Sequence, residues 1–291
     1  KNILLINAES ESEINEIEKI AKNKNKKIDI GIRLNPNINA KTLKKISTGK
    51  NEDKFGIEEF NFLKILEKLK NSKYLNIRCL SVHIGSQITD YRPYTKMISV
   101  VDKIIKKSNH KFDFIDLGGG MGIKYDNKAK SLNYKKYNLI IKQFLKKNNV
   151  KIIFEPGRSI IADTAVLLTK IIYIKKTKKK NFIILDAGMN DLIRPALYGS
   201  IHQIIPLKKK NKVINKIHDF VGPICESTDK FLSLKKYQKV NEKDILAIYD
   251  VGAYGMVLSS NYNLRTKPPE IMIKKSSLRV ILKRQKLNNI I

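Results

Sequence analysis

The chain has 291 residues and 42% hydrophobic content, which is enough apolar material for one large core or two smaller ones. Its formal net charge of +31 comes from lysines scattered along the whole sequence, whereas nucleic-acid-binding proteins usually cluster basic residues with aromatic residues or arginines. The sequence has no long apolar run and no signal peptide, and its only cysteines are Cys79 and Cys225. These features predict a cytoplasmic protein that does not bind membranes, and the scattered lysines predict that it does not bind nucleic acid.

The first part of the chain alternates short apolar runs with amphipathic segments. The strand-like runs are NILLIN, IDIGIRLN, IRCLSVHIGS, FDFIDLGGG and VKIIFEPG, and the helix-like segments are SESEINEIEKIAK, NFLKILEKLK, KMISVVDKIIKK and YNLIIKQFLKK. This alternation is typical of βα units and predicts a parallel sheet, as in a (β/α)₈ barrel. Barrels of this type take ~250 residues, and only about 160 precede the next change of pattern. We therefore expect a partial TIM-type barrel that lacks its first strands.

The pattern changes after about Ile161. The segments AVLLTKIIYIKK, KNFIILDAG, INKIHDFVG, DILAIYDVGAY and LRVILKR are strand-like and are separated by turns instead of long helices. This spacing predicts an antiparallel β-sandwich or barrel. The predicted fold class is therefore α/β, with a partial barrel over residues 1–162 followed by a C-terminal β domain over residues 163–291.

Polar residues and glycines close the predicted strands of the first part. His83 and Ser86 follow one strand, the glycines of DLGGGMGI follow another, and FEPGR follows a third. In a barrel, the carboxyl ends of parallel strands meet at one rim, where sites assemble. Consecutive glycines let backbone N–H groups approach a phosphate, although a tight strand-to-helix turn would also explain them. By itself, His83 would equally suit a core histidine bonded to a carbonyl group.

The FEPGR segment adds charge to this rim. Burying Glu155 at a strand end is unfavourable unless it meets a donor, and Arg158 suits a carboxylate or phosphate through paired hydrogen bonds; an exposed ion pair is the alternative. In the second part, Arg194 and Tyr198 are four residues apart and would share a helix face. Tyr254 lies between glycines, and two interpretations stay open: an exposed hydroxyl group or a tyrosine packed in the core. The histidines and cysteines show no zinc-ligand spacing, so no metal site is predicted.

GPICESTD places Cys225 beside Glu226 after a Gly-Pro turn, where packing gives no reason for a carboxylate. Together with VHIGSQI, DLGGGMGI, EPGRSIIADTAVLLTKI, LDAGMNDLIRPALYG and GAYGMVLSSNYN, this segment resembles the diaminopimelate decarboxylases in the order of its motifs. The upstream ISTGKNEDKFGI also resembles that family. These are pyridoxal-phosphate enzymes of the alanine-racemase-like fold, and the resemblance covers essentially the whole chain.

The resemblance implies a pyridoxal 5'-phosphate site in the first part of the chain. Glu155 would hold the ring nitrogen protonated, and His83 would stack on the ring. The implied phosphate-binding residues are Ser86, Gly118, Gly119, Gly120, Glu155, Pro156, Gly157, Arg158 and Tyr254.

The resemblance also implies a substrate site for meso-2,6-diaminopimelate, which would be decarboxylated to L-lysine and CO₂. Cys225 would donate a proton to the decarboxylated carbon, and Glu226 would bind the distal ammonium group. The residues implied for the distal carboxylate are Arg158, Arg194 and Tyr198, with Tyr254 alongside. The resemblance further implies a homodimer with shared active sites.

Three alternatives stay open: another decarboxylase of this fold, for carboxynorspermidine, ornithine or arginine; a non-catalytic relative; and a nucleic-acid-binding protein. Ornithine-type enzymes carry an aspartate beside the cysteine, so Glu226 favours diaminopimelate. The family holds its cofactor through a lysine in a YAxKAN-like strand, and the sequence has no such stretch. We therefore expect an N-terminally truncated enzyme, inactive and poorly soluble by itself.

Overall fold

The computed structural model describes residues 3–40, 48–50, 52–125, 130–208 and 210–290. The chain divides into two compact units, one of Lys1–Ile123 with Lys130–Ser159 and one of Lys124–Ala129 with Ile160–Ile291. The domain boundary predicted after residue 162 stays a prediction. Ile46, Ser47 and Asn51 of the ISTGKNEDKFGI motif lie outside the described residues.

The first unit is built from βα repeats. Its parallel sheet contains, in spatial and chain order, β1 (Ile6–Ala8), β2 (Ile28–Arg33), β3 (Leu75–Ser81), β4 (Phe114–Asp116) and β5 (Lys151–Ile153). Its helices are α1 (Glu11–Asn23), α2 (Glu59–Leu69), α3 (Arg92–Ser108) and α4 (Tyr134–Lys147), and the short α5 (Arg158–Ile161) follows β5. The predicted alternation of strand and helix is confirmed.

Each helix of the first unit packs an apolar stripe onto the sheet. In α1 the stripe begins after Ser10, whose hydroxyl accepts the N–H of Glu13 at 3.2 Å and so caps the helix. Ile14, Phe62 and Tyr94 are almost fully buried against strand residues. The strand residues in this core, such as Ile30, Ile77 and Ile115, are apolar, whereas Asp29, Asn76 and Arg78 on the same strands are only partly buried.

The second unit holds a six-stranded sheet in the order β11-β10-β7-β6-β13-β8. The element bounds are β6 (Leu167–Lys176), β7 (Lys180–Leu185), α6 (Arg194–Tyr198), β8 (Ile204–Pro206), β9 (Val213–Ile214), β10 (Ile217–Val221), β11 (Lys230–Leu234), β12 (Tyr237–Gln238), β13 (Ile245–Ile248), β14 (Glu270–Lys274) and β15 (Ser277–Leu282). β9 pairs with β12 and β14 with β15, forming two small sheets.

A separate β unit is therefore confirmed, but its predicted antiparallel arrangement is wrong at one place. β7 and β10 pair in parallel, from Lys180 opposite Ile217 to Ile184 opposite Val221. A parallel pair needs a long crossover connection, and the segment between these strands, which contains α6, supplies it. In the part of the chain that the structure describes, no helix is both long and apolar enough to cross a membrane.

Candidate active site

The first unit brings together side chains that follow three adjacent parallel strands. His83 lies two residues beyond β3, Gly118 lies two residues beyond β4, and Glu155 lies two residues beyond β5. The N–H of Gly119 donates to Nδ1 of His83 at 3.1 Å, and the N–H of Glu155 donates to the carbonyl of Gly118 at 2.9 Å. The three strand ends are therefore hydrogen-bonded into one surface, as the sequence predicted.

The glycine turn, residues Gly118–Gly120, is the centre of this surface. Gly118 and Gly120 have φ angles of +62° and +84°, which favour glycine. A methyl group added at Gly119 would overlap the carbonyl oxygen of Glu155. The N–H of Gly118 donates to Oδ1 of Asp116 at 2.9 Å, whereas the N–H of Gly120 has no partner within the described residues. The turn therefore presents a backbone donor to an anion.

Arg158 and Ser86 complete the polar side of the glycine turn. Pro156 and Gly157 carry the chain from Glu155 to Arg158, which begins α5. Arg158 is buried, and its Nη2 donates to Oγ of Ser86 at 3.2 Å. A guanidinium group and a hydroxyl group therefore lie side by side, as a phosphate or carboxylate requires.

His83 is held as a neutral imidazole. Burial and then the positive charge of Arg33 lower the pKa of His83 from 6.5 to about 4. Nδ1 accepts the Gly119 N–H, so the ring proton lies on Nε2. The carbonyl group of His83 accepts from Oγ1 of Thr48 at 3.1 Å and from Nη2 of Arg33 at 3.4 Å. A neutral ring held at Nδ1 by a backbone N–H is suited to stacking against a planar ligand.

Glu155 lies against a second carboxylate that sequence reasoning missed. Partial desolvation and then the charge of Asp116 raise the pKa of Glu155. Asp116 is buried at the end of β4, and its Oδ2 accepts from Nδ2 of Asn7 at 2.9 Å. The signal was present in FDFIDLGGG, because an acidic residue at a buried strand end needs several donors. Both the desolvation and the charge of Asp116 disfavour the ionised form of Glu155.

The loop that carries Cys225 and Glu226 in the second unit is organised by Asp229. Oδ2 of this buried carboxylate accepts the N–H of Ile224, and Oδ1 accepts the N–H of Met189, each at 2.7 Å. Burial raises the pKa of Asp229, and these two bonds oppose that shift. A methyl group at Gly222 would overlap the same carboxylate. The Gly-Pro turn therefore leaves room for the residue that shapes the loop.

Cys225 and Glu226 themselves are exposed. Nδ2 of Asn263 lies 3.6 Å from Sγ of Cys225, and the hydroxyl groups of Tyr262 and Thr228 both donate to Glu226. Hydrogen bonds from Tyr262 first and Thr228 second lower the pKa of Glu226. Glu226 is thus kept ionised at the surface of its own unit. The role of Tyr262 was missed, although it lies in the GAYGMVLSSNYN motif.

Arg194 and Tyr198 lie on α6, so the helical spacing predicted for them is confirmed. Arg194 is buried, donates to Nε2 of His202 at 3.4 Å and to Oγ of Ser200 at 3.2 Å, and lies 5.0 Å above the ring of Tyr125. Tyr254 has a φ angle of +59°, an uncommon conformation for a residue with a side chain, and is 43% exposed. Its hydroxyl is therefore displayed and not packed in a core.

Known proteins resemble the chain over almost its whole length. Residues 1–162 match the family model described as "Pyridoxal-dependent decarboxylase, pyridoxal binding domain". A diaminopimelate decarboxylase of Aquifex aeolicus is 39% identical over 99% of this chain and 69% of its own length, and one of Helicobacter pylori is 41% identical over 99% and 72%. A point mutant of diaminopimelate decarboxylase from Helicobacter pylori, solved as a complex with L-lysine, superposes with a TM-score of 0.93 at 40% identity, covering 99% of this chain and 72% of that one.

We expect the hydroxyl group of Tyr94 to stabilise the glycine turn. It donates to the carbonyl of Gly119 at 3.1 Å in a fully buried position. The Tyr94→Phe substitution keeps the ring but leaves that carbonyl unpaired, which should lower the free energy of unfolding by about 1–2 kcal/mol. Tyr137→Phe is the matched control, because the two rings stack at 4.6 Å and the Tyr137 hydroxyl has no partner within the described residues. Equal losses in denaturant unfolding would contradict this role.

The first unit should become less stable as the pH is lowered, because of His83. Its folded-state pKa of about 4 lies below the ordinary 6.5, so its contribution is complete above pH 6.5 and is lost as the pH falls towards 4. The His83→Asn variant cannot titrate there. The difference in free energy of unfolding between the two proteins should therefore change by up to ~3 kcal/mol across this window. A difference that is constant with pH would contradict a neutral His83.

Proposed function

The chain belongs to the diaminopimelate decarboxylase family of pyridoxal-dependent enzymes, and we propose from this membership that the protein that carries this chain decarboxylates meso-2,6-diaminopimelate to L-lysine and CO₂. The observation that carries the proposal is the hydrogen-bonded surface of His83, the glycine turn and Glu155 at three adjacent strand ends. This surface has groups suited to bind the phosphate, the aromatic ring and the ring nitrogen of a single ligand.

The residues of the first unit fit pyridoxal 5'-phosphate, the cofactor of this family. The N–H of Gly120, the guanidinium group of Arg158 and the hydroxyl of Ser86 would hold the phosphate group. The carbonyl oxygen of Glu155 lies where a side chain at Gly119 would begin, so only glycine lets the turn pack this closely against the Glu155 segment. When bound, the cofactor supplies an electron sink for the electron pair that CO₂ leaves behind.

His83 and Glu155 would orient the ring of the cofactor. The neutral imidazole of His83 offers a flat face with no charge to repel a protonated pyridine. Partial desolvation and then Asp116 raise the pKa of Glu155, and a positively charged ring nitrogen beside it would favour the ionised form again. The carboxylate of Glu155 would accept a hydrogen bond from the protonated ring nitrogen and stabilise its positive charge, which increases electron withdrawal.

The substrate is an amino acid charged at both ends, and the second unit offers groups for its distal end. Arg194 is buried and positively charged, and Tyr198 lies one helical turn further along α6. These residues, with Arg158 and Tyr254, would bind the distal carboxylate. Hydrogen bonds from Tyr262 and then Thr228 lower the pKa of Glu226, and its carboxylate would bind the distal ammonium group. The thiol of Cys225 would give its proton to the carbon from which CO₂ leaves.

We further propose a homodimer in which each active site takes Cys225 and Glu226 from the partner subunit. The support is that both side chains are exposed on a loop fixed from within by Asp229, an arrangement suited to contact with a second molecule.

Two free thiols in the described residues suit a reducing compartment, so we place the enzyme in the cytoplasm. The predictions that it binds neither nucleic acid nor membranes stay predictions.

The substrate proposal predicts a specific defect in Glu226 variants. In the protein that carries this chain, Glu226→Gln should raise the KM for meso-diaminopimelate at least about tenfold, because a charged hydrogen-bonding partner of the distal ammonium is lost. Glu270→Gln, also in the second unit, is the charge-matched control and should leave the KM unchanged. CO₂ release is the measurement. Preferred turnover of ornithine or arginine by the unsubstituted protein would contradict the substrate assignment.

The shared site can be tested by mixing inactive subunits. Cys225→Ala and Arg158→Ala place their defects in different units of the chain. Random exchange makes half of the dimers mixed, and each mixed dimer regains one intact site, so about one quarter of full activity should return. Activity that stays absent while mass spectrometry detects mixed dimers would contradict sharing.

A further inference from the structure

Gln87 joins two loops at the rim of the first unit. It directly follows Ser86, and its side-chain amide pairs with both backbone groups of Ile123, just beyond the glycine turn. Nε2 donates to the carbonyl of Ile123 at 2.7 Å, and Oε1 accepts the N–H of Ile123 at 3.3 Å. The side chain of Gln87 therefore makes the pair of hydrogen bonds that a neighbouring strand would make.

The backbone continues this pairing at the next residue. The N–H of Ile88 donates to the carbonyl of Gly120, and the carbonyl of Ile88 accepts the N–H of Gly122, each at 2.9 Å. A methyl group at Gly122 would crowd Thr89 and the backbone of Gln87, so the two loops are in close contact. The N–H of Gly120 shares its peptide group with the carbonyl of Gly119, which accepts from the Tyr94 hydroxyl, and the Ile88 pairing holds the next peptide group, which begins at the Gly120 carbonyl. Gly120 is therefore restrained on both sides.

Gln87 makes these bonds from an unfavourable backbone conformation. Its φ angle is +62°, where a residue with a side chain is less stable than glycine. A glycine here would remove that cost but would also remove the amide pair with Ile123. The two effects on stability oppose each other, so keeping a side chain in this conformation points to a role beyond making the turn.

We propose that Gln87 is a positioning residue that fixes Ser86 and the N–H of Gly120 in the geometry required by the phosphate group of the cofactor. The inference rests on the proposed function, because it takes the glycine turn as the phosphate site. Gln87 lies one residue from the hydroxyl that contacts Arg158, and its side chain pairs with Ile123, which directly follows the Gly120–Gly122 segment. The Gln87 side chain therefore connects the segment that carries Ser86 to the segment that carries Gly120.

The test compares ligands with and without phosphate. Gln87→Met keeps the length of the side chain and removes the amide, and Gln143→Met, at an exposed position of α4, is the matched control. Dissociation constants are measured by calorimetry at raised ionic strength, for inorganic phosphate, pyridoxal 5'-phosphate and pyridoxal. We expect about tenfold weaker binding of both phosphate-bearing ligands in Gln87→Met, unchanged pyridoxal binding, and no change in the control.

Gln87→Gly separates positioning from stability. Glycine tolerates the φ angle of +62°, so the thermal midpoint of this variant should be retained while phosphate affinity still falls. Unchanged phosphate affinity in either folded variant overturns the inference, and so does an equal loss for pyridoxal, which would indicate a general structural role. If the unsubstituted protein binds none of the phosphate ligands at the glycine turn, the proposed function itself fails. It also fails if the Arg158→Ala variant binds phosphate as tightly as the unsubstituted protein does.

Discussion

The close contact between the glycine turn and the neighbouring strand ends is the constraint on which the rest of the site depends. Gly119 lies so near the backbone of Glu155 that no side chain fits, and its N–H is taken by His83. This contact sets the tautomer of His83, the position of Glu155 beside Asp116, and the direction of the remaining N–H of Gly120. One backbone packing requirement thereby places groups for a phosphate, a ring face and a ring nitrogen.

In the second unit, too, a buried residue fixes the backbone on which the exposed functional side chains lie. Asp229 is buried and bonded to two backbone N–H groups, whereas Cys225 and Glu226 on the same loop are exposed. The buried carboxylate of Asp229 fixes the shape of the loop, and the side chains of Cys225 and Glu226 are not needed for that purpose. A hydrogen bond from Tyr262, in a separate segment, lowers the pKa of Glu226. The support and the chemistry are thus assigned to different residues.

The sequence predicted what depends on local pattern. The α1 helix follows from the apolar periodicity of SESEINEIEKIAK, and the meeting of His83, Gly118 and Glu155 follows from parallel strands having one carboxyl edge. The parallel pairing of β7 with β10 was missed, because strand partners across a long connection leave no local signal. Asp116, Asp229 and Gln87 were missed for the same reason, since each acts through contacts with residues distant in sequence or outside its motif.

The central claim is that the glycine turn binds the phosphate group of the cofactor. A chain with a net charge of +31 will also attract phosphate to surface lysines, so the position of binding has to be observed. The chain has 14 glycines, few enough for selective ¹⁵N labelling and assignment of their amide resonances by substitution. On titration with pyridoxal 5'-phosphate at raised ionic strength, the account predicts that Gly120 shifts most, with smaller changes at Gly118 and Gly119. Shifts that leave these three resonances unmoved, or that vanish with added salt, would contradict it.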